Sequence, residues 1–426
     1  MKITIMNGNG NPQDEGFDGY LSRLAEALTA KQHAVTTFTL RDLDIKFCTG
    51  CFGCWVKTPG ECVFKDASHD VCRAVINSDF LLWAAPLRMG FPDATLKRMM
   101  DKSIPLIHPY FVVEQGEAHH RPRYEHYPRL GLLLQTEADT DAEDLRIVGD
   151  IFSRTALNMK SRLEFAFTTE QPVNTVAHAI ATESAEGVPF ARNLPPLPGV
   201  RITPPMRLTL FNGSPRGAKG NTPVMLKQLA EGFVTAGGTI TDTFHLVRQN
   251  ELTSFRDAFA AAEAVLVGFP LYTDAMPGIV KTFFEALEPL RGCANNPALG
   301  FVMQSGFPES THMRHIERYL AKFTARLGSP YLGSLIKGSG EGIRLMPDAM
   351  NRKLFDQLKL LGRSVRLTGQ FDPDAVRALA GRERYPNYLI PLFKVLVKTP
   401  FLATYWNNQL KANGVYEQRF AQPFKL

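Results

Sequence analysis

The sequence predicts two tandem α/β domains, each a doubly wound parallel sheet with helices on both faces. Three observations predict it: one unit written twice, short apolar strands alternating with amphipathic stretches, and a proline-rich joint between the copies. A chain of 426 residues exceeds one ordinary core, and two domains of about 200 residues are the natural division. Hydrophobic content of 44% with 21% charged residues excludes a disordered chain, and nothing reads as an integral membrane segment. A net charge of +6 is no argument for nucleic acid.

The elements follow in order. Met1-Lys-Ile-Thr-Ile-Met-Asn-Gly8 opens the first copy as a short strand and returns as Met206-Arg-Leu-Thr-Leu-Phe-Asn-Gly213. The first stretch holds too few apolar residues for a signal peptide, so the cytoplasm is the expected location. Thr37-Phe-Thr-Leu40 returns as Thr243-Phe-His-Leu246, a second strand. Phe80-Leu-Leu-Trp-Ala-Ala85 and Ala264-Val-Leu-Val-Gly268 are third strands, whose continuous apolar character suits a sheet buried on both faces. Pro86-Leu87 with Lys97, Asp101 and Pro105-Leu106 returns at the same spacings as Pro270-Leu271 with Lys281, Glu285 and Pro289-Leu290. Gly131-Leu-Leu-Leu-Gln135 matches Gly300-Phe-Val-Met-Gln304, a fourth strand. A repeat of this length is a duplicated domain. The expected division is residues 1–192, a stiff proline-rich linker over 193–205, and 206–426 with a C-terminal extension.

Copy one carries two insertions that copy two lacks. The first contains Cys48-x2-Cys51-x2-Cys54-x7-Cys62, four of the six cysteines. Thiolates at this spacing are soft ligands for an iron–sulfur cluster or zinc, and a metal-free thiol loop is the plain alternative. Cysteines so clustered point to metal or redox chemistry in a reducing compartment. The second insertion holds His119-His120 and His126, read as a solvated polar segment. Cys72 is expected in a helix core and Cys293 in a loop.

Copy two opens with Asn212-Gly-Ser-Pro-Arg-Gly-Ala-Lys-Gly-Asn-Thr222 between strand and helix. Its glycines permit close backbone approach, Ser214 and Thr222 offer hydroxyls, Arg216 a charge, and the helix start a row of N–H groups for a phosphate. The Gly-Lys-Ser/Thr ending of an ATP loop is absent. Pro270-Leu-Tyr-Thr-Asp-Ala-Met-Pro277 and Gln304-Ser-Gly-Phe-Pro308 leave two further strand ends and suit a flat ring. In such sheets ligands bind beyond the carboxyl ends of the strands.

These loops resemble those of the flavodoxin-like NAD(P)H-dependent FMN reductases, whose signature looks like Asn212-Gly-Ser-Pro-Arg216 and Pro270-x-Tyr272-x4-Pro277. The cysteine motif is similar to that of the iron–sulfur flavoproteins, which hold a [4Fe–4S] cluster close to FMN. The resemblance implies two flavodoxin-like domains. By it, Ser214, Arg216, Gly217, Asn221 and Thr222 hold the FMN phosphate, and Pro270, Leu271, Tyr272 and Thr273 line the isoalloxazine. Ser305 and Gly306 stand beside the ring, and Cys48, Cys51, Cys54 and Cys62 ligate the cluster. Copy one departs from the pattern: Asn7-Gly-Asn-Gly-Asn-Pro-Gln-Asp-Glu15 replaces the phosphate loop and Arg88 replaces Tyr272. Copy two is the better equipped.

The function implied is electron transfer from NAD(P)H through FMN to a quinone or other small acceptor, with no acid–base triad required of the protein. Two alternatives are an electron carrier without nicotinamide activity of its own and a non-enzymatic protein with structural zinc. The apolar C-terminal run Tyr385–Trp406, broken by prolines and lysines, is read as cover for a domain interface or a dimer surface in a homo-oligomer. Peripheral membrane contact is the lesser reading for it.

Overall fold

The computed structural model describes residues 1–426 apart from Gln115, Ala185, Lys398 and Thr399. It resolves into two compact units, Met1–Ala191 with Pro386–Leu426, and Arg192–Tyr385.

In unit 1, β1 (Lys2–Asn7), β2 (Ala34–Thr39), β3 (Phe80–Arg88), β7 (Arg129–Gln135) and β8 (Leu163–Thr168) form a parallel sheet ordered β2-β1-β3-β7-β8. The short β4 (Phe91–Pro92) folds back antiparallel on β3. The strands are built from Ile, Leu, Phe and Val, whose branched and aromatic side chains fill both faces of a covered sheet. Helices α1 (Glu15–Ala30) and α6 (Val173–Ala181) lie on one face, where Phe17, Leu21, Leu24, Val176 and Ile180 bury against Ile3, Ile5 and Leu82. Between the sheet strands come α2 (Gly53–Val56), α3 (Ser68–Ile76), α4 (Ala94–Asp101) and α5 (Ala142–Asn158), and a separate hairpin of β5 (Ile107–Glu114) and β6 (Glu117–Pro122). Cys72 lies buried in α3.

Unit 2 repeats the plan. Strands β9 (Arg207–Asn212), β10 (Thr239–His245), β11 (Ala264–Pro270), β12 (Ala298–Gln304) and β13 (Tyr331–Lys337) are all parallel in the order β10-β9-β11-β12-β13. Every residue of β11 and β12 is buried. The order 2-1-3-4-5 in both sheets is the flavodoxin-like arrangement, whose switch point lies between the first and third strands. Helices α7 (Thr222–Thr235), α8 (Leu252–Ala260), α9 (Gly278–Ala286), α10 (Arg314–Leu327), α11 (Asp348–Thr368) and α12 (Pro373–Ala380) cover it. Helices α7 and α11 meet at glycines: a Cβ on Gly232 would stand 1.9 Å from the Lys359 carbonyl oxygen, and one on Gly362 1.9 Å from that of Leu229. The proline-rich residues before β9 run along this unit, with Val200 N donating to Tyr331 O at 2.8 Å and Ile202 N to Gly369 O at 2.9 Å.

The C-terminal residues, α13 (Ile390–Leu396) and α14 (Pro400–Ala412) included, pack with unit 1 and not with the 206–426 grouping read from the sequence. Lys398 and Thr399, inside the apolar run, lie outside the described residues. Trp406 sets its edge on Phe52 and Trp55, at 5.2 and 5.3 Å between ring centroids. Arg123 donates to the carbonyls of Ala421 (2.9 Å) and Arg419 (3.2 Å). The β5–β6 hairpin corrects part of the reading of the histidine insertion. It buries His119, bonded to Asn158 at 2.9 Å, with Glu117, paired to Arg154 at 2.8 Å, and His108, on which Phe420 closes at 5.3 Å. His126 beyond it is exposed, as read.

Candidate functional site

In unit 2, four loops leave the carboxyl ends of adjacent strands and are tied into a ring. After β9, Asn212 turns its side chain inward, accepting from Ser214 N at 3.1 Å and donating to Gly217 O at 3.1 Å. A Cβ at Gly220 would lie 2.0 Å from Ser214 Oγ, so only glycine lets the loop close there. Gly217 has φ 57°. The loop delivers the chain to α7, whose first residue, Thr222, is fully buried with Oγ1 lacking any partner among the described residues. Asn221 precedes it without capping the helix; its amide donates to Glu341 O (3.1 Å) and its carbonyl accepts from Arg344 N (3.1 Å). An uncapped helix start carrying a buried unpaired hydroxyl is chemically suited to an anion. Arg216 stands beside it, paired with Glu341 at 2.8 Å.

After β11 the chain makes a two-residue turn. Tyr272 and Ala275 exchange backbone hydrogen bonds of 2.8 and 3.0 Å across Thr273 (φ 41°) and Asp274 (φ 59°). Left-handed backbone at two successive non-glycine residues costs energy, and such strain concentrates at binding sites. Leu271 N donates to Gln304 O (2.8 Å), joining this loop to the one after β12. There Gln304 Oε1 is buried without a partner among the described residues, and Gly306 faces open space, its nearest neighbour being Glu341 Cβ at 4.0 Å from an added Cβ. Gly340 N donates to Ser305 O (2.7 Å), which brings in the loop after β13. Thus Ser214, Arg216, Gly217, Asn221, Leu271, Tyr272, Thr273, Ser305 and Gly306 lie on loops of one ring, with Thr222 at the start of α7 and Pro270 at the end of β11 bordering it. Sequence reasoning missed Gln304, Glu341 and Arg344. Gln304 ended a recognised strand and was the one readable signal.

Unit 1 has the same crevice, closed by its own side chains. The register Pro86↔Gln135 matches Pro270↔Gln304, so Glu137 stands where copy two has Gly306. Its carboxylate accepts from Met89 N at 2.9 Å and Gly90 N at 2.6 Å, the two left-handed residues of the Arg88–Phe91 turn. At the other loop, Asp14 caps α1 through Phe17 N (3.2 Å), while Asp18 gathers Asn7, Asn9 and Arg41 at 2.7 to 3.1 Å. Carboxylates thus stand in unit 1 at the positions that correspond to the Asn212–Thr222 loop and to Gly306 of unit 2.

The cysteine loop lies elsewhere in unit 1. Cys54 is buried beside Trp55, Val56 and Leu410, Cys51 is exposed, and Cys48 and Cys62 are half-buried. Burial pushes the Cys48 thiol up to about 12, and that of Cys54 well above its ordinary value, with the charges of Cys48, Cys62 and Cys51 adding to it. The four thiols therefore share one neighbourhood. Lys102, itself buried, donates to Cys62 Sγ at 3.0 Å and to Asp66 at 2.9 Å; burial opposes its charge, but these two partners hold it above its ordinary value. Among the described residues no three His, Cys, Asp or Glu side chains close on a single metal ion.

The family profile described as NADPH-dependent FMN reductase matches residues 1–115 and 206–328. An iron–sulfur flavoprotein of Methanocaldococcus jannaschii is 31% identical over 105 residues, 24% of this chain and 53% of that protein. The chain thus spans about half the length of the curated relative it matches. Among solved structures, an FMN-dependent NADH-azoreductase from Bacillus anthracis in complex with FMN is 10% identical, with TM-score 0.31 over 38% of this chain and 99% of its own. An NAD(P)H:quinone oxidoreductase from Methanothermobacter marburgensis is 14% identical, with TM-score 0.30 over 38% and 96%. A flavone reductase is 11% identical, with TM-score 0.32 over 38% of this chain and 62% of its own.

Proposed function

The chain belongs to the NADPH-dependent FMN reductase family in both halves, and from that premise we propose that unit 2 binds FMN and moves electrons from NAD(P)H to a quinone or other small acceptor. The observation that carries the reading is the ring of loops over β9, β11, β12 and β13, with the Thr222 hydroxyl and Gln304 carbonyl buried and unpartnered among the described residues. Bound there, FMN supplies hydride acceptance from the nicotinamide and onward electron delivery. The chain's part is binding and orientation. Thr222, through its hydroxyl and N–H, and Ser214 receive the phosphate, Pro223 having no N–H and those of Val224 and Met225 donating to Asn221 O. Arg216 exchanges Glu341 for it. The rigid Tyr272–Ala275 turn and Gln304 present polar groups to the ring edge, and Gly306 leaves it room.

In unit 1, Cys48, Cys51, Cys54 and Cys62 hold a [4Fe–4S] cluster in this reading, with Lys102 and Arg123 balancing its charge. The likeness to a named iron–sulfur flavoprotein and the shared neighbourhood of the thiols support it. The cytoplasm is the compartment that keeps such thiols reduced. The test is an anaerobic visible spectrum with FMN, iron and sulfide assays, followed by oxidation of NADH or NADPH with a soluble quinone. The reading expects flavin bands, about four irons per chain, and quinone-dependent nicotinamide oxidation. Protein without flavin overturns it; flavin without iron removes the cluster alone.

A further inference from the structure

Unit 1 carries an apolar face that the redox reading does not use. Tyr388, Leu392 and Val395 stand at i, i+4 and i+7 on the helical stretch from Asn387 through α13, and are 78, 58 and 63% exposed. The opposite side of α13 packs on β5 and the hairpin tip, where a Cβ on Gly116 would lie 3.4 Å from Ile390 Cδ1. The stretch is therefore apolar on both sides, whereas a helix on a protein surface ordinarily turns polar outward. An exposed face of this kind marks an interaction site.

Charge indicates the occupant. From Pro386 to Tyr416 the sequence has no Asp or Glu, while Lys394, Lys398 and Lys411 lie within it. Lys394 is exposed between Leu392 and Val395. Aliphatic side chains flanked by a tyrosine and by lysines, without an acid, match the headgroup zone of an anionic bilayer, where aromatic rings and cations settle. Among the described residues no helix is long and apolar enough to cross a membrane, so the contact is with its surface. We propose that this face docks unit 1 on an anionic lipid surface, Tyr388, Leu392 and Val395 entering among the headgroups and Lys394 meeting lipid phosphates. The inference rests on exposure and charge, independently of the redox assignment.

The test is flotation of the full chain with vesicles of phosphatidylcholine alone and of phosphatidylcholine with phosphatidylglycerol. The wild-type chain floats with the anionic vesicles, and high salt releases part of it. The L392S/V395S double variant loses about tenfold in bound fraction, and K394E several-fold, with unchanged melting temperature and flavin content. No flotation of the wild type, or wild-type flotation by L392S/V395S, overturns the proposal. So does a dimer that L392S/V395S dissociates without any vesicle binding, since the face then belongs to a second copy.

Discussion

Replacing Thr222 by valine separates a residue that serves the fold from one that serves a ligand. Thr222 is fully buried at the start of α7, and its methyl group faces Gly268, where an added Cβ would stand 2.8 Å away. Valine keeps that methyl and puts a second one in place of Oγ1, which has no partner among the described residues. A buried unpaired hydroxyl costs about 1–3 kcal/mol, so the flavin-free variant is more stable, by about 1 kcal/mol or more. For a unit of this size that raises Tm by roughly 2–4 °C. With FMN the sign reverses. Losing a hydrogen bond to a charged phosphate costs about 1.5–3 kcal/mol, which weakens Kd by about 10- to 150-fold. Differential scanning fluorimetry of flavin-free protein and a flavin fluorescence titration read the two effects separately. A variant with lower Tm and unaltered Kd would refute the reasoning, because the hydroxyl would then serve the protein itself. A lower Tm together with a raised Kd would show general damage at the helix start.

The remaining predictions concern neighbouring charges and the first unit. Glu341→Gln frees Arg216 from a half-buried ion pair of about 1 kcal/mol, so FMN binds about fivefold tighter; weaker binding in the same titration would show that the carboxylate positions the guanidinium. One FMN is expected per chain, and an R216A/T222A variant should hold none; flavin retained after gel filtration would place a site in unit 1. His108 and His120 are each pushed down to about 3, first by burial, with Arg121 and Arg123 adding at His108 and Lys160 at His120. Their neutral forms favour folding at pH above 6.5, and that contribution is lost as pH falls from 6.5 toward 3. At pH 5 each imidazole costs about 2 kcal/mol. Urea unfolding followed by tryptophan emission should show the drop, Trp55 lying 5.1 Å from His120; a midpoint equal at pH 7.5 and pH 5 would contradict it.

The duplication was the most legible feature, because strand ends must repeat when a sheet repeats. Matching Pro86 to Pro270 and Gln135 to Gln304 anticipated equivalent registers in the two sheets. The same alignment carried two residues further would have set Glu137 against Gly306 and exposed the self-closed crevice of unit 1. Glu341 and Arg344 were out of reach, since the matched segments stopped at the fourth strand and this loop follows the fifth. His119 and His120 read as solvated because their neighbours lie far off in the chain, Asn158 bonding His119 at 2.9 Å and Trp55 standing 5.1 Å from His120. Periodicity reports which face of an element is apolar; it does not report which distant segment returns to cover it.

That return bears on how the molecule is made. Unit 1 is interrupted in the chain by the whole of unit 2, and Leu410 and Trp406, which pack on Cys54 and Trp55, are synthesised after it. A ribosome therefore completes unit 2 while the cysteine loop still lacks its aromatic lining. The loop's thiols stay open to oxidants and other thiol reagents through that interval. Closure by the last residues ends the interval, so the burial of Cys54 waits on completion of the chain.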